Sequence, residues 1–262
     1  MAALPPFHVH WDVLAILGAI GLAYRTIQVR FRPPAPKAIS FYTGLGLLLI
    51  TSSWPMHDLA EQSLYWIHMV NHMVLTLVAP PLLILGFTRP MADHLLERFK
   101  VLAWLRPLCR PAPAFVIFNF GLIATHWPDA VALSLRNELA HFAIHAFLFL
   151  SAGLMWMPVT SPTPAIPRIV PPMQLLYLFL NSILPIVPAG FLTFSEIPLY
   201  PAYGNSSLAF GLSPVADQTI AGLIMKIVGT LILWVVMAFI WFRWASEEKR
   251  WDRLEEELRA PL

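Results

Sequence analysis

The chain has 262 residues, 17 basic and 15 acidic side chains, a formal net charge of +2, and 58% hydrophobic against 12% charged residues. Soluble domains carry roughly a quarter charged residues, so an ordinary water-soluble enzyme and a disordered chain are both excluded, and so small a net charge gives no electrostatic footprint for nucleic acid. The lone cysteine, Cys109, excludes an intrachain disulfide and a paired-thiolate metal site. With a mean hydropathy of +0.65 gathered into long apolar runs, the composition is that of an integral membrane protein.

Seven apolar stretches are predicted as transmembrane helices, at about 11–29, 38–55, 63–87, 112–127, 137–157, 172–194 and 217–242. Each is near the roughly 20 residues that cross a hydrocarbon core. The first is read as a retained helix, because the residues before it lack a basic region and a cleavage site. The fourth is short, fenced by Pro111, Pro113 and Pro128. Ala79-Pro80-Pro81 and Pro185/Pro188 are predicted to kink or break the third and sixth, which a bundle tolerates when neighbouring helices satisfy the freed carbonyls. A connection at 195–216, rich in proline, tyrosine and serine, is long enough to form a lid. The charged tail at 243–262, with Trp251, Leu254 and Leu258, is predicted as a short amphipathic helix at the membrane surface. The fold class is therefore an all-α polytopic membrane bundle forming one domain over 1–262.

Arg30, Arg32 and Lys37 follow the first span, Arg89, Arg98, Lys100, Arg106 and Arg110 the third, Arg168 the fifth, and Arg243, Lys249, Arg250, Arg253 and Arg259 the seventh. The opposite connections contain only Arg136. The positive-inside rule then predicts the N-terminus outside and the C-terminus cytoplasmic.

Against this topology, built from lysine and arginine alone, eight of the nine histidines fall on the outer side, His94 being the exception. His8 and His10 precede the first span, His57 lies before the third, and His126 ends the fourth. His68/His72 and His141/His145 are i, i+4 pairs, so each pair projects from one helical face. Both pairs are predicted about 6–14 Å below the outer helix ends, at matched depth. Imidazole binds copper, zinc, iron and nickel, and thioether sulfur favours Cu(I). Met69 and Met73 each follow a histidine and Met56 precedes His57, which tilts the expected metal toward copper as Cu(I). The competing reading of any one histidine is a hydrogen bond to a neighbouring helix. Two matched pairs favour a metal or haem site.

Asp217 and Gln218 begin the seventh span, and Gln218, Gly222 and Lys226 share an i, i+4, i+8 stripe. Lys226 is predicted near the depth of His72 and His145, where an ammonium needs a partner. Asp58, Glu61, Asp129, Glu138 and Glu196 give the outer side an acidic, cation-attracting character.

WIHMVNHMVLTLVAPPLLILG (residues 66–86), HFAIHAFLFLSAGLMWMPV (141–159) and DQTIAGLIMK (217–226) resemble, in order, the paired-histidine and DQ segments of the CtaG family of seven-span assembly factors associated with bacterial caa-type cytochrome c oxidases. The resemblance runs from about the second span through the seventh. It implies a non-enzymatic role in maturing a haem–copper oxidase, in the bacterial inner membrane, by making or loading its copper centre. It carries over His68, His72, His141, His145, Asp217 and Gln218 as functional residues, with His57 and His126 at compatible positions. The implied partners are membrane lipid, an oxidase subunit and a periplasmic copper donor, with room for a homo-oligomer. Two other functions compete. One is an electron carrier with bis-histidine haem, and the other is a cation transporter, which should continue polar groups across inner halves that read as almost wholly apolar.

Overall fold

The computed structural model describes residues 4–259. Among them it is all-helical, with no strand. In chain order the helices are α1 (Trp11–Phe31), α2 (Ala35–Thr51), α3 (Met56–Gln62), α4 (Tyr65–Met73), α5 (Ala79–Leu85), α6 (Arg89–Phe99), α7 (Leu102–Leu108), α8 (Pro111–Thr125), α9 (Pro128–Arg136), α10 (Glu138–Thr160), α11 (Pro171–Ile183), α12 (Ile186–Phe194), α13 (Pro214–Leu223) and α14 (Gly229–Arg259). The abundance of proline is compatible with so much helix because α2, α5, α6, α8, α9, α11 and α13 all carry proline in their first turn. There its missing N–H has no intrahelical partner to lose and its fixed φ suits the helix.

Five helical units are long and apolar enough to cross a membrane: α1, α4–α5, α10, α11–α12 and α13–α14. A sixth arises if α7 and α8, bent by 76° at their junction, count as one. The sequence predicts seven. The remaining expected span is α2, whose 17 residues give about 26 Å of helix at 1.5 Å per residue, just short of a hydrocarbon core. Phe120, Leu139, Phe191 and Phe239 are among many large apolar side chains left exposed, a surface suited to lipid rather than water.

The third span is interrupted just before its prolines, as expected, and the seventh is interrupted where no break was expected. Val74–Val78 is a single π-helical turn joining α4 to α5, and Ile224–Val228 is another joining α13 to α14. Such turns insert one extra residue and re-aim the face that follows. The tail differs from expectation. It does not fold as a separate surface helix but continues α14 without a break to Arg259, because nothing between Trp241 and Arg259 interrupts helical geometry. Its last three residues lie outside the described part.

The main core joins Met69, Met73, Phe118, Leu148, Met155, Trp156, Leu178, Leu192 and Met225. Here α4 packs against α13, α10 against α8, and α12 against α13. A smaller core stacks Tyr24 on Phe41 at 3.6 Å and holds α1 and α2 to α6, with the Tyr24 hydroxyl donating to Gly86 O at 2.9 Å. Close approach of α12 and α13 depends on Gly222. A Cβ there would lie 2.5 Å from Thr193 Oγ1, 2.9 Å from Ala189 O and 2.9 Å from Leu192 Cβ. Two of these contacts involve the backbone or stem of α12 and cannot swing away, so Gly222→Val should destabilise the protein by about 1–3 kcal/mol, read as a lowered midpoint of thermal unfolding in detergent.

Candidate metal centre

One end of the bundle collects the histidines. Its helices are started by side chains: the Asn137 carbonyl oxygen accepts from Ala140 N at 2.9 Å to begin α10, and Ser213 Oγ accepts from Ala216 N at 3.1 Å to begin α13. These are ordinary N-caps. α4 has no such residue of its own. Its first N–H groups, those of Tyr65 and Trp66, donate to the two carboxylate oxygens of Asp217 at 2.9 and 3.0 Å. A carboxylate at a helix N-terminus satisfies donors that the helix cannot and is favoured by the helix dipole. Asp217 therefore fixes the start of the helix that carries His68 and His72.

His68, His72 and His145 meet at the centre of this end. Their ring centroids are 4.3 Å (His68–His72), 5.0 Å (His72–His145) and 5.7 Å (His68–His145) apart. Each offers a nitrogen within 4.8 Å of the others. His126 approaches from the end of α8, 5.5 Å from His72. Its Nδ1 donates to Leu122 O at 2.7 Å, since a carbonyl only accepts, and its buried Nε2 has no partner. That bond fixes the tautomer and leaves the lone pair on Nε2, as in a histidine that ligates a metal through its other nitrogen. Both ring nitrogens of buried His72 are also without a partner. Buried polar atoms are rarely left so, and a metal ion at the cluster would satisfy them. We call this group the deep cluster.

The second group is His57, Glu61 and His141, again with ligand atoms within 4.8 Å of one another. His141 joins the two groups, its ring 4.1 Å from His145 one turn along α10 and 5.6 Å from His57. Beyond His57 the series continues to His10 at 4.6 Å and from there to His8 at 5.0 Å. His10 Nε2 lies 3.0 Å from the Asp58 carboxylate. All eight histidines that the sequence placed on one side thus form a connected series of rings. His94 stands apart, its Nε2 at 3.3 Å from Arg30.

The connection after α12 closes over the deep cluster. Tyr200 donates to His126 O at 2.7 Å, Tyr203 to Ala60 O at 3.0 Å and Ser206 to Ser63 O at 3.0 Å. Tyr65, stacked on His68 at 5.6 Å, packs against both tyrosines. Burial pushes the Tyr200 and Tyr203 hydroxyls above their ordinary range, so both remain protonated donors. Gln218 pins the same connection, accepting from Leu199 N at 2.6 Å and donating to Leu192 O and Ile197 O at 3.3 Å each. The lid expected at 195–216 is present as a tightly bonded cover.

The remaining predicted residues fall elsewhere. Met69 and Met73 are buried in the main core, one residue around α4 from the histidine face, with Met73 Sδ against Gly229. Met56 packs beside Leu59 and Leu64. Lys226 lines a small cavity with Thr76, Asn181 and Thr230, between the two π-helical turns. Asn119, deeper in the bundle, donates to Asn181 Oδ1 at 2.8 Å and to Phe115 O at 2.9 Å. The far half of the bundle is therefore not almost wholly apolar, as its sequence suggested. Single polar letters in apolar runs are easily passed over, and here each finds a backbone partner: Asn181 donates to Tyr177 O and Gln174 to Ile169 O nearby in the chain, while Tyr177 donates to Met155 O and Trp156 to Thr76 O on other helices. The last two hold helices together. Sequence reasoning also passed over Glu61 as a ligand and His10 as part of the series, since both depend on the packing of short segments near α3.

No curated protein and no solved structure matches this chain. A sequence model described as cytochrome c oxidase caa3 assembly factor (Caa3_CtaG) matches residues 20–247, which include every residue of both clusters but neither His8 nor His10. With nearly the whole bundle covered by that match, the chain belongs to the cytochrome c oxidase caa3 assembly factor family.

Proposed function

We propose that this membrane assembly factor binds copper at the deep cluster of His68, His72, His145 and His126 and delivers it to a subunit of a haem–copper oxidase as its copper centre is formed. The histidine end of the bundle then faces the outside, where a periplasmic donor would supply the ion, and the arginine-rich end faces the cytoplasm. The observation that carries this reading is the set of buried, partnerless imidazole nitrogens on His72 and His126 beside His68 and His145. Four imidazoles accept copper, while the methionines pack on the adjacent face of α4 and add no argument for one oxidation state. The ion is cargo, passed on by ligand exchange, and no catalytic step is required.

Bis-histidine haem is the second reading, and the spacing of the rings disfavours it. Axial ligands stand on opposite faces of a macrocycle with iron between them. Here rings from α4 and α10 approach to 5.0 Å, which leaves no slot for a flat tetrapyrrole. Transport is disfavoured because the polar groups beyond Asn119 and Asn181 bond to backbone. The test is elemental analysis and a visible spectrum of protein purified in detergent. About one copper or more per chain without a Soret band is expected, while iron with a Soret band, or no copper after anaerobic Cu(I) loading, would overturn the proposal.

A further inference from the structure

The deep cluster is covered, so an ion must reach it through something else. His68, His72 and His126 are buried, His145 is partly buried, and tyrosines from the 195–216 connection bond across the same end. Along the series of rings the burial falls away. His141, His57 and Glu61 have side-chain exposures of 13%, 19% and 29%, so these side chains form a partly exposed rim, with Glu61 Oε1 and the His141 nitrogens turned inside it.

Glu61 Oε1 lies 2.6 Å from His141 Nε2 and 3.0 Å from His57 Nε2. These are ion-pair separations, yet the angles do not make hydrogen bonds: the Glu61 oxygen and both His141 ring nitrogens remain without a hydrogen-bond partner. Three ligand atoms converging on one point describe a site for an ion better than a bonded network. Metal–ligand bonds of 2.0–2.2 Å place tetrahedral ligands about 3.3–3.6 Å apart, so Glu61 Oε1 must swing about 0.7–1 Å away from His141 Nε2, and less from His57 Nε2, to admit a metal.

We propose that His57, Glu61 and His141 form a second metal station at the rim, taking a divalent cation of the Cu(II) or Zn(II) class and passing copper inward to the deep cluster. Two imidazoles and a carboxylate suit such a cation, and the negative charge compensates it in a way that the all-imidazole deep cluster cannot. The passage, which rests on the copper reading above, is exchange without change of oxidation state. A bond to His145 forms as the bond to Glu61 breaks and one to His72 forms as that to His57 breaks, while His141, one helical turn from His145, holds the ion until a bond to His68 replaces its own. The rim station itself stands on its own geometry and does not require that reading.

The test is titration of the metal-free, full-length protein in lipid nanodiscs with Cu(II), followed by electron paramagnetic resonance and by the rate of loading. The double variant His72→Ala/His145→Ala should keep one equivalent of Cu(II) with a mixed nitrogen and oxygen signal. Adding Glu61→Gln, which is isosteric, should remove it, and Zn(II) should displace it. Glu61→Gln alone should slow filling of the deep cluster at least tenfold while leaving its final occupancy unchanged. Loss of all Cu(II) from the double variant, or an unchanged signal on adding Glu61→Gln, would overturn the rim station. Unaltered copper content in the double variant, with a signal sensitive to Glu61→Gln, would support the rim station and overturn the deep cluster instead. A monodisperse elution profile and unchanged helical circular dichroism establish that each variant is folded.

Discussion

His72→Ala should lower copper affinity at least about 100-fold while leaving the stability of the metal-free protein nearly unchanged. Removing a group that only orients a ligand typically costs 10–100-fold in metal affinity, and loss of the ligand itself should cost no less. The stability half of the expectation follows from bonding. Both His72 ring nitrogens are buried without a hydrogen-bond partner, so the metal-free fold bears a desolvation penalty of about 1–3 kcal/mol for each such group. Alanine removes that penalty and leaves a cavity whose cost is of similar size. A histidine kept for structure would behave in the opposite way, its loss breaking a bond and lowering the unfolding midpoint. Copper content by elemental analysis and thermal unfolding in detergent therefore separate the two roles in one variant. In cells, the same substitution should leave the oxidase subunits present but short of copper. Full copper retention in His72→Ala would sink the site.

Much of the deep cluster was legible in the sequence because its geometry is local. The spacing of His68 to His72 and of His141 to His145 puts each pair on one helical face whatever the rest of the bundle does. Resemblance to the CtaG family pointed to the same residues. The division of the histidines into two groups was not legible. His141 and His145 look equivalent in the sequence, yet one turn of α10 carries His141 out of the deep cluster and toward His57 and Glu61. That depends on where α3 packs, a short helix that no apolar periodicity announces. Adjacency in sequence also turns a side chain by about 100° on a helix, so Met69 and Met73 pack in the core beside the histidine face. The structure shows five or six of the seven expected spans at full length, because α2 has only 17 residues and α8 reaches spanning length only together with α7. These two meet at 76°, a bend that one-dimensional hydropathy does not contain.

Asp217→Ala should show the reverse pattern, with a large loss of stability and a smaller, indirect loss of copper. The Asp217 and Gln218 pair was expected to belong to the site chemistry. Its contacts instead assign it to positioning, since the carboxylate accepts from Tyr65 N and Trp66 N across 151 to 152 residues of sequence and so fastens α13 to the start of α4. Bonds to a charged acceptor contribute about 1.5–3 kcal/mol each, and here truncation strands two donors in a mostly buried setting. A destabilisation of about 3–6 kcal/mol follows. The conservative Asp217→Asn should not rescue it. Tyr65 N and Trp66 N address different oxygens of Asp217, so an amide must turn its NH2 toward one of two N–H groups, donor against donor. Copper affinity should fall only as far as the displaced first turn of α4 carries His68 away from His145, about 10-fold, the low end for loss of an orienting group. Excess copper should then restore part of the unfolding midpoint, because a ligand that binds only the folded state stabilises it in proportion to the logarithm of its concentration. An Asp217→Asn protein with an unchanged midpoint and abolished copper binding would instead make Asp217 a ligand, and would require the carboxylate to leave the start of α4 when the ion arrives.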